Sequence, residues 1–300
     1  MFLPKNIMVG VFGLVSALWL CGCRANHPEG IVRATVSIPP QEWLLEQIGG
    51  ERVKINCLLK PGADPENQEP SMRQLMELYD SQIYFTLGGL PFEEATIERT
   101  RENMPDLQIC NASEGIKLIA DECHGHHHED AEEHEEEGFD PHIWTSVSNC
   151  RTMADNMERA LEKIDPSGKE VYRLRLQRLD SLLNTTDDSI RAMLSGCADR
   201  CFMTWHPSMG YFARDYRLVQ LSVQQEGKEV TPLQLASAIE RAREEKPAVL
   251  FYDIAQQGNE TGLLRDDLGL ETYGLKLMER DFLPQLVNAA KAIRENCKRQ

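Results

Sequence analysis

Residues 165–194 read DPSGKEVYRLRLQRLDSLLNTTDDSIRAML. Asp165-Pro166-Ser167 is a helix start, because Asp and Ser cap free backbone N–H groups and Pro suits the first turn. Tyr172, Leu176, Leu179, Leu183, Ile190 and Met193 then recur every three or four positions, with Thr186 in the one gap. Roughly 28 helical residues at about 1.5 Å each span ~40 Å, the width of a small domain. No Gly/Ser linker flanks this stretch, so it reads as a rigid connector.

On its N-terminal side, strands and helices alternate. Segment 31–38 is β-branched and alternating, and Pro39-Pro40 breaks it before a helix at 41–48. Further strands are expected at 52–59, 82–87 and 107–112, with helices at 71–79, 92–103 and 149–164. Beyond the long helix the alternation resumes. Strands are expected at 200–204, 217–223, 248–252 and 271–275, and helices at 207–215, 233–245, 260–268 and 279–295. Strands separated by single helices make parallel sheets covered on both faces. The fold class is therefore α/β: two lobes, each with a mainly parallel sheet flanked by helices, joined by one long rigid helix. The expected divisions are 31–165, 166–197 and 198–300.

Ahead of the first lobe, Lys5 is the one charge before an apolar run at 7–20. That length suits a signal-peptide core better than a bilayer span. The run ends in Leu20-Cys21-Gly22-Cys23, which looks like a bacterial lipobox. Cys23 is the expected lipidated residue, because small Gly22 precedes it, whereas bulky Leu20 precedes Cys21. Residues 1–22 would be the signal and 23–30 a polar tether. No second stretch is apolar enough to cross a membrane. The net charge of −16 disfavours nucleic acid and anionic lipid surfaces and suits the gathering of cations.

Beyond the lipobox stand Cys57, Cys110, Cys123, Cys150, Cys197, Cys201 and Cys297. An exported protein can form disulfides, and an odd number leaves at least one thiol over or pairs it between molecules. The connectivity stays open. Cys197 and Cys201, four apart, read as buried small residues rather than a redox pair.

Five of the eight histidines lie in one loop, 121–139: His124, His126, His127, His128 and His134. The loop also carries nine Asp or Glu and no Lys or Arg. Imidazole and carboxylate are ligands for divalent transition metals, so this density offers overlapping partial sites. With almost no apolar residues the loop should not fold alone. His142 follows it in Asp140-Pro141-His142-Ile143-Trp144, and His206 follows an apolar strand in Thr204-Trp205-His206-Pro207. Strand ends line ligand crevices in open α/β sheets, which puts one histidine from each lobe at a crevice.

Taken together, several segments resemble the substrate-binding proteins of zinc and manganese ABC transporters. They are Pro61-Gly62-Ala63-Asp64-Pro65 with Glu69-Pro70, and Asp140-Pro141-His142-Ile143-Trp144. They also include His206 with Tyr211-Phe212-Ala213 and Tyr216, Glu226-Gly227-Lys228-Glu229, and Val249-Leu250-Phe251-Tyr252. The acidic histidine loop is similar to that of zinc-type members. The resemblance implies two lobes with the metal in the cleft between them. It further implies an ABC permease and its ATPase as partners, and a monomer anchored in a bacterial membrane by its acyl chain, in the periplasm or at the cell surface. No nucleic-acid partner is expected. Zinc is the expected ion, with manganese the alternative.

By the same resemblance His142 and His206 are metal ligands. Glu66 stands where the family usually has a histidine, and no Asp or Glu stands near 274–277, where its last acidic ligand falls. A fourth ligand would be water, Glu69, a loop residue, or a carboxylate such as Asp253 or Glu279. Two other readings remain at this level. One is an exported zinc hydrolase with a two-His, one-Glu, one-water centre, although H-E-x-x-H and G-x-S-x-G are absent. The other is a surface interaction lipoprotein whose loop merely soaks up metal.

Overall fold

A computed structural model describes residues 30–120, 139–224, 230–256 and 260–297. Cys23, the signal and almost all of the tether, and His124, His126, His127, His128 and His134 lie outside the described residues.

The first lobe is built from strands β1 (Val32–Val36), β2 (Val53–Cys57), β3 (Ile83–Thr86) and β4 (Gln108–Asn111). Helices α1 (Pro39–Gly49), α2 (Met72–Leu78), α3 (Pro91–Asn103) and α4 (Val147–Ile164) cover them. All pairings are parallel, in the order β2-β1-β3-β4. Pro39 and Pro40 start α1 rather than preceding it, since their missing N–H groups cost nothing in a first turn. Ser71 and Ser146 cap α2 and α4 by accepting from Gln74 N and Asn149 N.

The long helix α5 (Lys169–Leu194) follows a 3₁₀ turn, Pro166–Gly168. Asp165 caps that turn, and also accepts from Arg52 and from the Tyr172 hydroxyl. Tyr172, Leu179, Leu183 and Ile190 are buried along α5 as their spacing predicts, and Leu194 extends the stripe. At the gap, the Thr186 hydroxyl donates to its own helix at Leu182 O, 2.9 Å.

The second lobe repeats the first. Its strands are β5 (Cys201–Thr204), β6 (Val219–Ser222), β7 (Leu250–Asp253) and β8 (Thr272–Leu275), parallel in the order β6-β5-β7-β8. Helices α6 (Gly210–Tyr216), α7 (Pro232–Glu245), α8 (Glu260–Leu268) and α9 (Leu283–Cys297) complete it. The expected helix at 279–295 begins only at Leu283. A start at 279 would put Pro284 inside the helix, where its missing N–H would break a hydrogen bond; from Leu283 it falls in the first turn.

α5 packs against α1 and α4 on one side and α9 on the other. One apolar cluster runs through the first lobe, α5 and α9, while Met203, Val223, Ala238, Ala242, Leu250 and Leu264 form a smaller one inside the second lobe. The lobes thus share a core, which opposes wide hinge motion. A disulfide links Cys197 to Cys297, so Cys197 is not the free buried residue expected, whereas Cys201 is a buried thiol. No helix among the described residues is long and apolar enough to cross a membrane.

Candidate metal centre

Both sheets reverse their strand order at the middle, between β1 and β3 in one lobe and between β5 and β7 in the other. Ligand crevices form outside the carboxyl ends of strands at such switch points. The two crevices face each other. Gly62 N donates to Met278 O at 3.0 Å, Trp144 Nε1 to Leu277 O at 3.0 Å, and Tyr211 Oη to Asp140 O at 2.7 Å, all between lobes.

Glu66 is held by a turn in the β2–α2 loop. Asp64 Oδ1 accepts from Glu66 N at 3.0 Å and from Asn67 N at 3.3 Å, and Asp64 Oδ2 accepts from Asn67 Nδ2 at 3.0 Å. Gly62, at φ +73°, supplies the left-handed bend before it. His142 stands three residues beyond Phe139, which bridges Ala120 across the base of the acidic loop. His206 stands two residues past the end of β5.

These three residues meet. His142 Nε2 and His206 Nε2 are 3.3 Å apart, and Glu66 Oε1 is 3.5 Å from His206 Nε2 and 3.9 Å from His142 Nε2. Among the described residues they are the one group of metal-ligating side chains with all donor atoms within 4.8 Å. Bonds of about 2.0–2.1 Å in a tetrahedron put donor atoms about 3.3 Å apart, so a zinc ion fits this triangle after small side-chain adjustments. The exposed side chain of Glu69 is not in the group.

The histidines are oriented through their other nitrogens. His142 Nδ1 lies 2.8 Å from Asp140 Oδ1, which also accepts from the His142 backbone N at 2.8 Å. A carboxylate on Nδ1 fixes the tautomer that presents Nε2 to a metal. His206 Nδ1 lies 3.3 Å from Gln224 Oε1. Burial works against a positive His142 ring, but the hydrogen bond to Asp140 and the charges of Asp140, Glu66 and Asp64 outweigh it. The ring titrates above its ordinary value. Three carboxylates, those of Asp140, Glu66 and Asp64, act on a 3 % exposed imidazole and make a place built for positive charge.

Sequence reasoning named the three side chains that converge but not their supports. The spacing Asp140-x-His142 was a visible signal for the first. Gln224, 18 residues from His206, carried none, and neither did Tyr211, whose hydroxyl also accepts from Ile119 N at 3.2 Å. Tyr211 thereby grips both stems of the acidic loop.

Residues 35–294 match the family described as ZnuA, zinc-uptake complex component A, periplasmic. A Treponema pallidum (strain Nichols) protein, provisionally described as metal-binding, is 24% identical over 286 residues, covering 92% of this chain and 90% of its own. The zinc-binding protein AdcA of Streptococcus pyogenes serotype M3 (strain ATCC BAA-595 / MGAS315) is 26% identical over 229 residues. That alignment covers 72% of this chain and 44% of AdcA, so the chain spans less than half of that relative. A crystal structure of ZnuA superimposes with a TM-score of 0.78 at 27% identity, covering 89% of this chain and 99% of that one. The chain therefore belongs to the ZnuA family, the periplasmic component A of zinc-uptake complexes.

Proposed function

We propose that this chain captures Zn²⁺ between its lobes through Glu66 Oε1, His142 Nε2 and His206 Nε2, and passes it to the permease of an ABC importer. The triangle of donor atoms, 3.3, 3.5 and 3.9 Å on its edges, carries the reading. Two imidazoles favour zinc, while the Glu66 oxygen also suits manganese. Capture needs no bond-making chemistry, so the protein acts as a binding component and not as a hydrolase. Zinc-loaded protein should turn over neither ester nor peptide.

In the same reading, residues 31–165 and 198–300 are the lobes and 166–197 the connector. Cys23 holds the monomer at a membrane by its acyl chain. His124, His126, His127, His128 and His134 raise the local zinc concentration beside the cleft. Zinc titration of the metal-stripped protein tests these roles. Deleting 121–137 should leave one tight site, and His142→Ala with His206→Ala should abolish it. Tight binding that survives the double substitution, or vanishes with the loop, would refute the cleft reading.

A further inference from the structure

Three donors leave a tetrahedral ion one vertex short. Asp253 carries a carboxylate at the same end of the second lobe as His206. β5 and β7 pair across the switch point of the second lobe, with Thr204 opposite Phe251. Two residues on from each stand His206 and Asp253, both at the carboxyl end of this pair of strands. Asp253 lines the same cavity as Asp64, His142 and His206, with about 30 Å³ of free space. That is room for one or two water-sized bodies.

Asp253 is short of partners. Its Oδ1 accepts from Ala255 N at 2.8 Å. Among the described residues no other hydrogen bond reaches the carboxylate and no Lys or Arg pairs with it. A half-buried carboxylate among other carboxylates gains from a divalent cation beside it. Asp64, the other acid lining the cavity, has both oxygens committed to the Glu66 turn.

We infer that Asp253 is the fourth ligand, turning one carboxylate oxygen onto an ion held by Glu66, His142 and His206. The inference rests on the three-donor site proposed above. Asp253 is not among the donors already within 4.8 Å, so its side chain must rotate as the metal enters. The completed set, two imidazoles and two carboxylates, neutralises a divalent cation. It also adds an oxygen ligand of the kind manganese prefers, so losing Asp253 should weaken Mn²⁺ more than Zn²⁺.

The test compares full-length wild type, Asp253→Asn, Asp253→Glu and Glu279→Gln. Zinc and manganese affinities come from chelator competition, ligand geometry from the visible spectrum of the Co²⁺-loaded protein, and folding from the metal-free unfolding midpoint. D253N should bind zinc about 10- to 100-fold more weakly, lose more for manganese, and change the Co²⁺ spectrum, with the metal-free midpoint unmoved. D253E should recover part of the affinity. Zinc affinity within twofold of wild type and an unchanged Co²⁺ spectrum in D253N would overturn the assignment, as would a loss seen only in E279Q. Failure of the three-donor site is read separately, as tight binding that persists without His142 and His206.

Discussion

Replacing Asp140 with alanine removes an oxygen that accepts two bonds, from His142 N and from its Nδ1 side, each at 2.8 Å. The ring is 3 % exposed, so water cannot readily take the place of that oxygen. Carboxylate partners of metal-bound histidines are worth about 10- to 100-fold in affinity, or about 1.4–2.7 kcal/mol. A second effect runs the other way. Asp140 is the leading influence that raises the His142 proton affinity, so in D140A the ring titrates lower. With zinc on Nε2 as proposed, protons compete for that nitrogen, and wild type should lose more zinc affinity on acidification than D140A. The wild-type advantage should therefore be about 10- to 100-fold at pH 7.5 and should narrow towards pH 6. Competition with a chromophoric chelator at several pH values, on metal-stripped protein, measures both. Equal affinity at pH 7.5, or a ratio that widens as pH falls, would refute the orienting role.

Gly210 lies against the same carboxylate: a Cβ there would sit 2.7 Å from Asp140 Oδ2, so Gly210→Ala should weaken zinc binding about tenfold while circular dichroism stays unchanged. The Cys197–Cys297 disulfide closes a loop of 100 residues around the second lobe. Serine at both positions should cost about 2–5 kcal/mol in urea unfolding and spare zinc affinity; an unchanged midpoint would count against the bridge. Burial raises the Asp165 carboxyl, but hydrogen bonds from Ser167, Tyr172 and Arg52 and the Arg52 charge bring it down to about 2. The stability this gives is complete above about pH 4 and is lost as pH falls towards 2. Arg52→Ala should therefore cost about 1–2 kcal/mol at pH 7, with the gap to wild type closing in acid-denaturation curves below pH 4.

Much of this architecture is legible along the chain. The apolar stripe from Tyr172 to Met193 and the strand–helix alternation on either side gave eight strands and the connector, because burial faces follow periods of 3.6 and 2. Errors fell at element ends, where neighbours decide. Pro284 marks the start of α9, because only a first turn tolerates its missing N–H. The partner of Cys197 was not readable at all, since a bridge across 100 residues depends on where α9 docks. At the site, short motifs pointed to Glu66, His142 and His206 one at a time, yet none of them showed that their donor atoms converge.

Composition, periodicity and local motifs thus determined the two α/β lobes and the long helix between them, because these depend on residues close together in sequence. Tertiary structure decided three further things. It set Glu66 Oε1 and two Nε2 atoms within 3.9 Å of each other by docking one crevice against the other. It placed Asp140 under His142, with Gly210 and Tyr211 of the opposite lobe against it. It also set Asp253 and His206 on one cavity through the pairing of β5 with β7, segments nearly 50 residues apart. Each is a contact across the cleft or across a sheet, and distance in sequence says nothing about such contacts until the core of both lobes has closed around α5.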